Sequence, residues 1–240
     1  TQKDCLYHCL EEKMIIGNGV IAEALRGIEV PQEVVVHAAG VSNSLCENPA
    51  EFNRDIKRID LTLKLSKKVI YFSSQGCVNL KNSTPYYEHK RFIENKILCN
   101  SDKHLIVRLP QFCSRTVNPK NLLSSLFLKL QNNETVTCYR NVSRNLITDE
   151  HLQKIFHLLL STNLTGLRSF CSPYDYKPIE IISEIERYLS VTADVKFSDN
   201  LIEKFPIKYE NSDEFVNAYS EMQKIGRSDY LSHVIKHVFN

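Results

Sequence analysis

Three short apolar runs, set apart by two longer segments of helical periodicity, constrain the fold of this chain more than any other feature. Glu33 to Ala38 holds three successive valines, Lys68 to Ser73 holds Val69, Ile70, Tyr71 and Phe72, and His104 to Leu109 is a third run. Unbroken apolar runs of this length belong to strands buried on both faces. Between them, Ala50 to Lys67 carries Phe52, Ile56, Ile59, Leu63 and Leu65, and Tyr86 to Leu98 carries Phe92, Ile93, Ile97 and Leu98. Both sets fall at near-helical spacing, and Asn48-Pro49 sits where the first helix would begin. Strand, helix, strand, helix, strand in that order needs crossover connections. It predicts a parallel sheet with helices on both faces.

The flanking segments extend the pattern. Met14 to Ile16 reads as a short buried strand, Gly17-Asn18-Gly19 as a turn, and Val20 to Arg26 as a short helix. Further on, Asn118-Pro119 precedes a helix through Leu130, Glu134 to Tyr139 is a short strand, and Thr148 opens a helix to Leu160. Tyr176 to Leu189 is another helix, and Tyr209 to Phe239 is mostly helical with an interruption near Gly226. The expected division is an N-terminal extension (1–13), a nucleotide-binding core (14–133) and a smaller mixed or helical substrate lobe (134–240) interleaved with the core.

Composition narrows the functional classes. With 240 residues, 42% of them hydrophobic, the chain can bury one sizeable core. A net charge of +2 without blocks of one sign argues against nucleic-acid or membrane binding by bulk charge. Eight cysteines are scattered, mostly near apolar runs, and are expected to be free buried thiols. Cys5, His8 and Cys9 can share one helical turn but lack a second ligand pair nearby, so no metal site is expected. Asn82, Asn133, Asn141 and Asn163 each begin an N-x-Ser/Thr triplet of the kind an Asn- and Ser-rich chain produces by chance. With no leading basic and apolar segment and no long apolar stretch, the expected compartment is the cytoplasm.

Four groups of residues can carry chemistry. Gly17, Gly19 and Ala22 form a G-x-G-x-x-A run between a strand and a helix. Such a run allows a tight turn, close approach of a pyrophosphate and close helix–strand packing. His37-Ala38-Ala39-Gly40 follows the second strand, where small residues let a flat ring or a ribose come near or simply make a tight turn. Ser73 and Ser74 end the next strand. Tyr86 and Lys90 then lie four apart, on one helical face. An ammonium near a phenol stabilises phenolate, and such a tyrosine can exchange a proton with a sugar hydroxyl or ketone.

The ordered set Gly17-Asn18-Gly19-Val20-Ile21-Ala22, His37-Ala38-Ala39-Gly40, Tyr71-Phe72-Ser73-Ser74, Pro85-Tyr86-Tyr87-Glu88-His89-Lys90 and Arg108-Leu109-Pro110 resembles the NAD-dependent epimerase/dehydratase family, the sugar-nucleotide branch of the extended short-chain dehydrogenases/reductases. Arg144-Asn145-Leu146-Ile147-Thr148-Asp149 is similar to that family's Arg-Asp-Phe-Ile-x-Val-x-Asp segment. The resemblance implies a Rossmann-like α/β fold with a small C-terminal substrate lobe, and NAD or NADP acting on a nucleotide-diphosphate sugar. It implies Tyr86 as acid/base, Lys90 as its tuner and ribose contact, and Ser74 on the reacting oxygen, with Ser73 as the register-shift alternative. Gly17, Gly19, Val20, Ile21, Ala38, Ala39, Gly40, Tyr86 and Lys90 would face the cofactor. Ser74, Gln75, Gln111 and Arg144 would face the substrate. A homodimer paired through the helices at Ala50–Lys67 and Tyr86–Leu98 is also implied.

The chain departs from that family in three places. Glu33 follows Gly19 by only 14 positions, where relatives place two more strands with the residue that reads the adenosine ribose. The sheet is therefore predicted to be reduced in its N-terminal half. A catalytically silent Rossmann-like module that binds a nucleotide or a partner protein is the competing expectation. The Ser74–Tyr86 connection is shorter than the family's, and Asp55 stands where many relatives carry Asn. His89 and His104 are expected to be partly exposed surface histidines.

Overall fold

The computed structural model of the chain describes residues 14–81, 83–115, 121–199 and 210–240. The 1–13 extension with Cys5, His8 and Cys9, the Asn82 side of its triplet, and Asn118-Pro119 lie outside them. The main sheet has five parallel strands in the order β1 (Ile15–Ile16), β2 (Val34–His37), β3 (Lys68–Ser74), β4 (Leu105–Leu109) and β8 (Gly166–Ser169). Its fifth strand thus comes from the C-terminal half of the chain. Two smaller sheets stand beside it. One joins β5 (Gln111–Cys113), β7 (Arg144–Thr148) and β9 (Asp175–Tyr176), and the other pairs β6 (Val136–Tyr139) with β10 (Val195–Ser198).

Strand alternation sorts the core into two layers. Val35, Val69, Tyr71 and Ile106 point to one face, where they meet Ile59 of helix α2 (Pro49–Leu63) and Ile93 and Ile97 of α3 (Pro85–Asn100). Val34, Val36, Ile70, Phe72, Leu105 and Val107 point to the other, where they meet Leu152, Ile155 and Phe156 of α5 (Asp149–Ser161). The remaining helices are α1 (Val20–Ala24), α4 (Leu122–Gln131), α6 (Pro178–Leu189), α7 (Val216–Gln223) and α8 (Arg227–Phe239). The expected C-terminal helix is indeed broken at Gly226, which has a positive φ of 78°. Cys46, Cys77, Cys113, Cys138 and Cys171 are buried free thiols, while Cys99 is exposed. No helix among the described residues is long and apolar enough to cross a membrane.

Among the described residues β1 is the edge of the main sheet and pairs only with β2. This is the structural form of the short gap between Gly19 and Glu33. The turn after β1 is held by contact rather than by length. Gly17 has φ +139°, and a Cβ placed on it would fall 2.4 Å from the Ala38 carbonyl oxygen. Neither the dihedral nor the space admits a side chain. Gly17→Ala is therefore expected to lower stability by about 2 kcal/mol or more. Urea denaturation of the two proteins checks this, and an unchanged midpoint would contradict it.

Candidate functional site

The helix that carries the tyrosine and lysine begins where its sequence says it should. Thr84 caps α3, its hydroxyl accepting from Tyr87 N at 3.4 Å, and Pro85 takes the first turn. The buried face of α3 includes Tyr86, Lys90, Ile93 and Ile97, an i, i+4, i+7, i+11 stripe. The expected stripe is corrected in part: Ile93 and Ile97 are core residues, but Phe92 and Leu98 are exposed, by 50% and 37%. Tyr86 and Lys90 occupy the core-facing positions instead, on the side that meets the carboxyl end of β3.

Ser74, Tyr86 and Lys90 come together there. Ser74 is close enough to Tyr86 to act on its phenol, and Ser74 Oγ accepts from Gly76 N at 3.2 Å. Lys90 Nζ lies 5.8 Å from the centre of the Tyr86 ring but donates to the Tyr71 hydroxyl at 3.0 Å. The expected electrostatics are corrected accordingly. Burial pushes the Tyr86 phenol well above its ordinary pKa, and the nearby Ser74 hydroxyl opposes this only in part. Tyr86 is thus held as the neutral phenol.

Beneath the tyrosine lies a buried polar network. Asp55 shares the core-facing stripe of α2 with Ile59 and Thr62. Its Oδ2 is 2.8 Å from His89 Nε2 and accepts from Val41 N at 3.3 Å, while its Oδ1 lies 3.7 Å from His37 Nε2, a ring whose pKa burial lowers, and both of those atoms lack a hydrogen-bond partner. His37 Nδ1 is in turn 2.9 Å from Thr62 Oγ1. Burial works against the Asp55 charge, but His37, His89 and the Lys90 ammonium outweigh it and hold the carboxyl well below the usual range. Burial lowers the pKa of Lys90, while the Asp55 charge works to keep the ammonium. His89 is therefore no surface histidine: it is 7% exposed and stacks on Phe52, with ring centres 4.6 Å apart. His104 is 1% exposed. Its Nδ1 accepts from Val69 N at 3.1 Å, which requires the neutral ring, and burial lowers its pKa to about 4.

The glycine-bearing turns close over this network. Ala38 N donates to Ile16 O at 2.8 Å, so the Gly17 turn and the His37–Gly40 segment lie side by side. A Cβ on Gly40 would fall 2.9 Å from Lys90 Nζ and 3.6 Å from Asp55 Oδ2. A side chain at Gly40 would press on the lysine tip and shift it. Gly19 is open, with only the Ala38 oxygen, at 4.0 Å, near its Cβ position, and α1 takes no side-chain cap.

The remaining candidates divide. Ser73 turns its hydroxyl to Cys77 Sγ at 3.9 Å. Gln75 is buried and its Nε2 donates to the Phe170 and Glu210 carbonyls at 3.1 and 2.7 Å, which leaves Oε1 without a hydrogen-bond partner. Gln111 follows β4, its Nε2 donating weakly to Phe112 O and Asn121 Oδ1, both at 3.4 Å. It stands opposite Leu146 in the β5–β7 pair, and Arg144 begins that second strand. The strand-end Arg108 is structural, making a two-pronged bond to Glu94 at 2.9 and 2.6 Å. A cavity of about 550 Å³ between α6 and α8, lined by Tyr176, Glu180, Arg187 and Arg227 among others, contains none of the candidates.

Comparison with known proteins places the fold. No protein-family model matches the chain, and no curated protein does. Solved structures do. The chain is similar to the dTDP-glucose 4,6-dehydratase of Bacillus anthracis in complex with NAD, with a TM-score of 0.69, 11% identity, and coverage of 85% of this chain and 72% of that one. It matches the UDP-glucose 4-epimerase of Thermus thermophilus in complex with NAD equally well (TM-score 0.69, 11% identity, 91% and 80% covered). A dTDP-4-dehydrorhamnose reductase ortholog of Clostridium acetobutylicum gives a TM-score of 0.69 at 11% identity over 92% of this chain and 97% of that one. The fold is thus the Rossmann-like fold that these three enzymes share.

The Asp55 network yields a stability test. A carboxyl whose pKa is depressed by folding stabilises the native state above its unfolded pKa, near 3.8, and loses that contribution as pH falls toward the folded value. Asp55→Asn leaves the Lys90 ammonium without its counter-charge and should cost roughly 3 kcal/mol at pH 7. The gap between the two proteins should narrow below about pH 4. Denaturation at several pH values measures it, and a gap constant with pH would contradict the charge pairing.

Proposed function

We propose that this chain is an enzyme that uses NAD or NADP to epimerise, dehydrate or reduce a nucleotide-diphosphate sugar. The observation that carries this reading is the meeting of Ser74, Tyr86 and Lys90 at the carboxyl edge of the sheet, beside the Gly17 turn. In open parallel sheets that edge is where ligands bind. The NAD-bound structures of the dehydratase and epimerase above have the same fold.

The residues fit the nicotinamide half of a dinucleotide. Gly17 and Gly19 leave backbone bare for the pyrophosphate, with Val20 and Ile21 opening the helix behind it, while Ala38, Ala39 and Gly40 make a small-residue floor. When bound, the nicotinamide would accept or return a hydride. The adenosine half has less support, because β1 is the sheet's edge among the described residues.

The chain's own groups handle the proton and the substrate. Tyr86, kept protonated by burial, is in the form that donates to a ketone oxygen. Ser74 holds that oxygen beside it. Lys90, braced by Tyr71 and the Asp55 charge, lies below both. Gln75 offers its unpartnered Oε1 to a sugar hydroxyl, and Gln111 and Arg144 face the substrate from the lobe. Exposed Phe92 and Leu98 on α3 support pairing of two copies through that helix and α2.

Tyr86→Phe is expected to cut turnover on a panel of UDP- and dTDP-sugars by about 10²-fold or more, and undiminished turnover would remove Tyr86 from the chemistry. Fluorescence titration with NADH and NADPH tests the cofactor. Binding of neither by folded protein would favour the silent nucleotide- or protein-binding module. Phe92→Glu is expected to shift a dimer to monomer in analytical ultracentrifugation, and an unchanged mass would place pairing elsewhere.

A further inference from the structure

The C-terminal helix carries a second constellation, remote in sequence from Tyr86. His233 and His237 lie one turn apart on α8, which brings their rings to one face, 6.0 Å between centres. That face packs where α5 begins, at Asp149 and Glu150. His233 Nε2 is 3.3 Å from Glu150 Oε2, and His237 Nδ1 is 3.3 Å from Glu150 Oε1. Ligand atoms from all three residues lie within 4.8 Å of one another.

We propose that Glu150, His233 and His237 form a binding site for a zinc-class divalent cation. Two imidazoles and one carboxylate are the borderline donors that zinc takes, whereas magnesium and calcium prefer oxygen alone. Tetrahedral zinc with bonds of about 2.0–2.1 Å sets its ligand atoms about 3.3–3.4 Å apart. Each imidazole already stands at that length from Glu150, though from a different carboxylate oxygen. Rotation of the half-exposed Glu150 and His233 side chains, 46% and 39% exposed, closes the rest.

The surroundings of His237 point the same way. Its side chain is 4% exposed, and its Nε2 is bonded to the Asp149 carboxylate. That partner fixes the ring and leaves Nδ1 directed at Glu150, the carboxylate–imidazole–metal arrangement that orients histidine ligands. The positive end of the α5 dipole disfavours a cation there, and the charges of Asp149 and Glu150 offset it. His151, although its ring is 6.1 Å from that of His233, is not a ligand. It falls outside the group whose ligand atoms lie within 4.8 Å of one another, and its Nδ1 is occupied by Thr148 N at 3.2 Å and Thr148 Oγ1 at 2.9 Å. The open side at His233 leaves a fourth position for water or an exogenous ligand. The bound cation would tie the C-terminal helix to the start of α5.

The test uses the full chain, stripped with a chelator and then titrated with zinc by calorimetry. His233→Ala and Glu150→Gln alter half-exposed side chains, and circular dichroism checks their folding. The expected result is that each variant loses one zinc equivalent, or binds it at least 100-fold more weakly than the parent chain. Cobalt loading separates this site from the thiol-bearing N-terminal segment: its visible bands should vanish in His233→Ala, while any sulfur-to-cobalt band stays. Equal zinc stoichiometry and affinity in the parent chain and both variants would overturn the proposal and leave an ordinary histidine–carboxylate ion-pair cluster.

Discussion

A lysine ammonium buried under the carboxyl edge of a parallel sheet is the constraint on which the rest of this site depends. Taking such a charge out of water is unfavourable by several kcal/mol unless opposite charge and hydrogen bonds compensate it. Here Tyr71 accepts its hydrogen bond and Asp55 supplies the charge. Asp55 is itself held by His89, His37 and the Val41 amide. Three elements are pinned by these few groups: β2 through His37, α2 through Asp55 and α3 through His89 and Lys90. The bare backbone at Gly40 leaves room for the lysine to rise toward Tyr86.

This arrangement explains why polar residues sit on faces that ought to be apolar. The buried stripe of α2 carries Asp55 and Thr62 around Ile59, and that of α3 carries Tyr86 and Lys90 above Ile93 and Ile97. In each helix the isoleucines pack against the sheet and fix its height, while Asp55 on α2 and Tyr86 and Lys90 on α3 fall on the N-terminal side of them, toward the end where the strands stop. The aliphatic half of each stripe therefore positions the chemical half. The Gly17 turn closes against Ala38 and delivers open backbone to the same edge. A shorter N-terminal half leaves this part intact because β1, β2, β3 and β4 still pair in parallel register.

Much of that layout was legible in the sequence. The valines of β2, the apolar runs of β3 and β4 and the Gly17–Gly19 turn announced a crossover-linked sheet, and the order of Ser74, Tyr86 and Lys90 placed these three residues at its edge. The misses have physical causes. Strands such as β5, β8 and β9 are two to four residues long and show no period from which a strand could be read. The partners of Lys90 are non-local: Tyr71 is a strand residue that reads as core, and Asp55 reads only as a departure from a familiar asparagine. His89 looked like surface because its neighbours on α3 are charged, although it lies on the buried side. The His233–His237 spacing was visible as a one-turn pair, but its carboxylate partners are more than 80 residues away in sequence, in Asp149 and Glu150.

The central claim is that the glycine turn and the Ser74–Tyr86–Lys90 group serve one ligand at one edge of the sheet. A crystal structure of the chain grown with NADH tests it most directly. The account predicts pyrophosphate density over the Gly17–Gly19 backbone and the nicotinamide ring against Tyr86. Dinucleotide density elsewhere on the molecule, or a pyrophosphate bound at the turn with its nicotinamide directed away from Tyr86, would contradict it.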